Sequence, residues 1–92
     1  MLESLIEKKV VAYCKTRGLL TYKFTSPNNR GVPDRVIMGD GLLLFMELKQ
    51  LGKKPTPLQQ YEHQRITKAG QIVVTADSFD AAVGYIETFF GK

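Results

Sequence analysis

Asp40-Gly41 lies between two apolar runs, Val36-Ile37-Met38 and Leu42-Leu43-Leu44-Phe45-Met46, and the rest of the chain is organised around that pair. An Asp-Gly dipeptide flanked in this way is the strongest short-range signal for a two-residue hairpin turn, because both turn residues take positive φ. With Asp40 and Gly41 as the loop, Gly39 pairs with Leu42 and, stepping outward along both strands, Asp34 comes to face Glu47. Directly opposed side chains on one face have Cβ atoms roughly 4.5–5.5 Å apart, where like charges are destabilising. Something positive is required between them. Strand side chains alternate, so Lys49 shares the Glu47 face while Met46 and Leu48 point to the other. Two carboxylates and an ammonium therefore converge at one end of the hairpin.

The chain has 92 residues and is read as a single domain spanning 1–92, able to fold alone but with a limited core that dimerisation would help. Its formal net charge of +4, from 13 Lys and Arg against 9 Asp and Glu, mildly favours a polyanionic partner. The single Cys14 excludes an internal disulfide and a Cys-based zinc site, and the single His63 cannot build a His cluster. A metal here needs oxygen ligands. No apolar run approaches the roughly 20 residues that span a bilayer, and no signal-peptide core opens the sequence. The expected setting is the cytoplasm, or the host cytoplasm if the protein is phage-encoded, with no membrane partner.

From Leu2 to Arg17 apolar residues recur at helical spacing, with Ile6, Val10, Tyr13 and Cys14 on one side and Gly18 as the stop signal. Glu7 falls inside that apolar arc, beside Val10 and Val11, and so does Glu3. A carboxylate there is costly unless paired or coordinating, which makes Glu7 a candidate ligand. Cys14 reads as a small core residue. Leu20 to Thr25 alternates as a strand, and Ser26-Pro27-Asn28-Asn29-Arg30-Gly31 is turn chemistry leading straight to Asp34. Ser26, Asn28, Asn29 and Arg30 in this loop are candidate phosphate contacts; the plainer role is connection.

Pro33 suits the first residue of a strand, and the nearly all-apolar run Leu42 to Leu48 suits a central strand covered on both faces. Gly52-Lys53-Lys54-Pro55-Thr56-Pro57 is a basic connector whose lysines, beside an acidic cluster, can hold a phosphate backbone. Thr56 as N-cap, Pro57 at the first helical position and Gln59 at the third form a capping box for a helix running to about Ala69. His63 is expected to be a surface residue of that helix. Gln71 to Thr75 reads as a buried strand, and Ser78 caps a last helix carrying Phe79, Ala82, Val83, Ile86, Phe89 and Phe90, as core or as a dimer surface. The order is α-β-β-β-α-β-α. A helical crossover makes the last strand pairing parallel, giving an α/β domain with a mixed central sheet flanked by helices.

Carboxylates without His or Cys favour a hard cation such as Mg²⁺ or Mn²⁺. An ion of that kind cancels the repulsion between Asp34 and Glu47, polarises a phosphate oxygen and activates a water, while Lys49 orients that water or offsets charge in the transition state. Phosphodiester hydrolysis follows from this set.

Pro33-Asp34, twelve residues, then Glu47-Leu48-Lys49, preceded by a helix bearing Glu7, resembles the PD-(D/E)xK nuclease superfamily with its restriction-endonuclease-like core. More closely, Lys23-Phe24-Thr25-Ser26-Pro27, Gly31-Val32-Pro33-Asp34, Glu47-Leu48-Lys49 and the stretch from Gly52-Lys53-Lys54-Pro55 to Leu58-Gln59 resemble the VRR-NUC domain. The resemblance covers nearly the whole chain. It implies a metal-dependent, structure-selective DNA endonuclease of viral or phage type. The fold implied is like that of Holliday-junction resolvases, and the state commonly homodimeric, with a place in replication, recombination or repair. It also implies site roles: Glu7, Asp34 and Glu47 as metal-binding acids, the Leu48 carbonyl as a further ligand, Lys49 as the catalytic lysine and Gln59 near the site. Glu7 is preferred to Glu3 because its distance to Gly18 resembles the resolvase helix. Lys23, Ser26, Asn28, Asn29, Arg30, Lys53 and Lys54 are the candidate nucleic-acid contacts. The rival reading is a non-catalytic nucleic-acid-binding or assembly module whose acids only form salt bridges.

Overall fold

A computed structural model of the chain describes residues 2–91. Its elements are α1 (Glu3–Thr16), β1 (Leu20–Lys23), β2 (Arg35–Gly39), β3 (Leu42–Leu48), α2 (Pro57–Lys68), β4 (Ile72–Ala76) and α3 (Phe79–Phe90). The four strands form one sheet in the order β1-β2-β3-β4, with β1-β2 and β2-β3 antiparallel and β3-β4 parallel. This is the mixed α/β sheet that the sequence implies.

The Asp40-Gly41 turn sets the register. Both residues have positive φ, 53° and 77°, as a type I′ turn requires. Gly39 pairs with Leu42, and the ladder runs to Arg35 opposite Met46. Asp34 lies one step beyond that last pair, where β2 has not yet begun.

Alternation along β3 separates two faces. Leu44, Met46 and Leu48 are fully buried with Ile37 and Ala76, beneath Ile6, Val10 and Cys14 of α1 and Ala82, Ile86 and Phe90 of α3. Side chains of this size are worth about 1.5–3 kcal/mol each when removed from water, so this shared cluster is the main source of stability. It also takes in Phe90 of the last helix, with Phe79 and Phe89 packed against its margin and Tyr85 left exposed. The opposite face of β3, carrying Phe45 and Glu47, is met by Phe24 and by α2. The Phe24 and Phe45 rings lie 5.3 Å apart.

α2 begins where the sequence places it. Thr56 Oγ1 accepts from the Gln59 amide, Gln59 Oε1 accepts from the Thr56 amide at 2.8 Å, and Pro57 opens the helix. Ser78 caps α3 through the Ala81 amide. α1 lacks a side-chain cap because Leu2 stands at that position, but Glu3 in its first turn complements the helix dipole. β1 is shorter than the expected run to Thr25. Its pairing continues only through the Phe24 amide, which donates to the Asp34 carbonyl at 2.8 Å, before Pro27 and the following turn lead the chain away. Gly31 then packs on the start of α2. A Cβ there would sit 2.9 Å from the Leu58 carbonyl oxygen, and its φ of +89° favours glycine.

Among the described residues, no helix is long and apolar enough to cross a membrane.

Candidate active site

The ends of β2 and β3, the first turn of α1 and the first two turns of α2 meet at one edge of the sheet. Glu47, projecting from β3 toward α2, is 1% exposed. Its Oε2 accepts from Gln59 Nε2 at 3.2 Å and lies 3.6 Å from Lys49 Nζ. Gln59 thus serves two partners at once, its amide oxygen closing the capping box and its amide nitrogen holding Glu47.

Asp34 is half-buried, and its Oδ2 accepts a 2.7 Å hydrogen bond from the Leu48 amide. Its pKa is pushed up to about 6, chiefly by burial; the Leu48 hydrogen bond works in the opposite direction, and the Glu47 and Glu3 carboxylates add to the rise. The repulsion implied by the hairpin register is therefore present in the fold.

The third acid differs from expectation. Oxygens of Glu3, Asp34 and Glu47 lie within 4.8 Å of one another, forming the group of acids among the described residues that could hold a cation. Glu7 is turned elsewhere: its Oε2 is 3.1 Å from Arg35 Nη1 and 3.6 Å from Lys23 Nζ. Arg35 projects from β2 onto the buried α1 face, where it is 9% exposed and also reaches Thr21 Oγ1 at 3.4 Å. A buried guanidinium needs a carboxylate close by. Glu7 meets that need, and Glu3, one turn earlier on the helix, reaches the other acids.

This group fits a hard divalent ion. All donors are oxygens, and three carboxylates so close repel one another without a cation. Glu47 Oε1 is moreover buried without a hydrogen-bond partner. A cleft of about 520 Å³ opens beside Glu3, lined also by Ser4, Lys49, Gln50, Lys53 and Lys54. The predicted basic connector thus lies beside the acidic cluster.

The loop residues fall farther round. Ser26 and Asn29 bond to each other at 3.0 Å and line a second cleft with Phe24, Val32, Glu62 and Arg65. Asn28 and Arg30 are exposed, and Lys23 is tied to Glu7 on β1. His63 is less exposed than expected, its Nε2 turned inward. Its side chain is 14% exposed and its Nε2 lies 3.5 Å from Glu47 Oε1. The signal for this was its spacing of four from Gln59, which puts both side chains on one stripe of α2.

No protein-family model matches the sequence. The chain is 44% identical over 79 residues to "Putative nuclease p44" of Acyrthosiphon pisum secondary endosymbiont phage 1, covering 85% of each sequence. A solved structure described as a VRR_NUC domain is similar with a TM-score of 0.86 and 29% identity, over 95% of this chain and 96% of that one. A second, a VRR_NUC domain protein, shares the fold with a TM-score of 0.78 at 18% identity, over 99% of this chain and 89% of that one.

Proposed function

The chain belongs to the VRR-NUC family of nucleases, and from that membership we propose that it is a Mg²⁺- or Mn²⁺-dependent endonuclease hydrolysing phosphodiester bonds in DNA. The observation that carries the reading is the convergence of Glu3, Asp34 and Glu47 within 4.8 Å, with Lys49 Nζ 3.6 Å from the most buried of them.

Glu3, Asp34 and Glu47 would hold the ion, with the Leu48 carbonyl as a further ligand. A divalent ion there supplies polarisation of the phosphate and a nucleophilic water at neutral pH. Lys49 is held at the site by its own acid, and its ammonium offsets charge gathering on the phosphate oxygens as the water attacks. Gln59 fixes the Glu47 carboxylate from α2. Lys53 and Lys54 line the cleft where phosphates flanking the scissile bond would lie, and contribute register and affinity without reading sequence. Ser26, Asn28, Asn29, Arg30 and Lys23 are assigned to more distant DNA. Glu7 is assigned to holding Arg35, and through it the packing of α1 on β2.

The preferred substrate in this reading is branched DNA such as a four-way junction, cut by a homodimer whose two-fold symmetry presents two sites to two strands. Incubating the protein with Mg²⁺, Mn²⁺ or EDTA and a panel of duplex, flap and four-way-junction DNA tests it. Cleavage of the branched substrates in metal alone supports the reading. Binding without cleavage across all metals and substrates returns the protein to the class of non-catalytic DNA-binding modules.

A further inference from the structure

The two oxygens of Glu47 are in different circumstances. Oε2 has Gln59 Nε2 and Lys49 Nζ beside it, whereas Oε1 is buried with no hydrogen-bond partner. Facing Oε1 at 3.5 Å is His63 Nε2, which is also buried and also without a partner. Leaving a buried polar atom unpaired costs about 1–3 kcal/mol, and folded proteins rarely tolerate two such atoms side by side. At 3.5 Å the pair is slightly too long for a formed hydrogen bond but needs only a few tenths of an ångström to become one.

We propose that His63 is a positioning residue for Glu47, donating its Nε2 hydrogen to Oε1 when the carboxylate carries a divalent cation. The inference rests on the metal-site reading above. It fixes the tautomer, because a bare ring nitrogen facing a carboxylate would oppose two acceptors. Gln59 and His63, one helical turn apart on α2, then supply one donor to each oxygen. A carboxylate held at both ends cannot rotate, and Oε1, with a single donor, keeps a lone pair for a cation. His63 does not itself join the ligands, since the acids that approach one another within 4.8 Å are Glu3, Asp34 and Glu47. Donors behind a ligating carboxylate typically change metal affinity or activity by about 10–100-fold.

The test is Mn²⁺ titration of the full chain, by calorimetry and by the electron-paramagnetic-resonance signal of free Mn²⁺, for the wild type, His63→Phe, His63→Leu and His63→Gln. Phe keeps the ring without the donor, Leu is the fallback should Phe not fit, and Gln restores a donor. Metal-free urea unfolding accompanies each to show cooperative folding. The donor-less variants are expected to bind Mn²⁺ about tenfold more weakly or worse. Gln should recover most of the affinity, and kcat for DNA cleavage should follow with KM for DNA unchanged. Wild-type affinity in a folded donor-less variant overturns the inference and leaves the metal site standing. Equal loss in the Phe and Gln variants overturns the donor role. A wild-type protein that binds no Mn²⁺ overturns the metal site and this inference together.

Discussion

The Leu48 amide donates to Asp34 Oδ2 at 2.7 Å, so the backbone at the end of β3 grips the carboxylate at the threshold of β2. Asn at position 34 keeps an oxygen for that amide and loses the charge. Asp34→Asn is therefore expected to fold with metal-free stability equal to or above that of the wild type, because it removes repulsion from Glu47 and Glu3. Its Mn²⁺ affinity and DNA cleavage should fall by about 100-fold or more. Thermal unfolding in EDTA beside a metal titration reads both effects.

The same carboxyl sets a pH dependence. Its pKa is about 6 in the fold against an ordinary 3.8, so between those values the native state holds a proton that the unfolded chain has released. The metal-free contribution of Asp34 to stability is thus fully present below about 3.8 and declines as pH rises through about 6. Metal affinity runs the other way, rising through about 6 as the competing proton leaves. Relative to Asp34→Asn, which lacks the titrating group, wild-type urea midpoints across this range should therefore fall with rising pH in EDTA and rise with it in Mn²⁺. In Asp34→Asn this contribution should be missing from both.

Glu3 and Glu7 should separate cleanly. Glu3→Gln, at an exposed position, is expected to leave metal-free stability within about 0.5 kcal/mol of the wild type while weakening Mn²⁺ binding. Glu7→Gln strips the buried Arg35 of its carboxylate and should destabilise the fold by about 3 kcal/mol. Paired denaturation and titration curves decide; metal binding lost in a folded Glu7→Gln but kept in Glu3→Gln would reverse the assignment.

Gln59 both caps α2 and donates to Glu47, and two variants divide the effects of the two contacts. Thr56→Ala removes the cap alone and should cost about 1 kcal/mol with metal affinity nearly unchanged. Gln59→Ala loses its half of the capping box and the Glu47 contact, so a similar stability loss should come with weaker Mn²⁺ binding. Equal metal affinity in both variants would confine Gln59 to capping.

Local chemistry made much of this legible in the sequence. Asp40-Gly41 carried the register of β2 and β3, and Thr56-Pro57 with Gln59 carried the start of α2, because each signal lies within a few residues of what it controls. The parallel β3-β4 pairing followed from a helix lying between the strands. Which of Glu3 and Glu7 lies beside Asp34 and Glu47 was beyond such reasoning. Both lie in one arc of α1, and the outcome turns on Arg35, whose projection toward that helix depends on tertiary packing. The inward turn of His63 is hidden for a related reason: a lone polar residue on an amphipathic helix reads as exposed unless the buried carboxylate across from it is known.

Cleavage of labelled four-way-junction DNA by the wild type and by Lys49→Ala, side by side in Mg²⁺, Mn²⁺ and EDTA, tests the proposed site most directly. The wild type should nick the DNA in metal and not in EDTA. Lys49→Ala, checked for cooperative unfolding, should bind the DNA in metal-free buffer as the wild type does and fail to cut it. Metal-dependent cutting by Lys49→Ala at the wild-type rate would contradict the assignment of these residues to the chemistry.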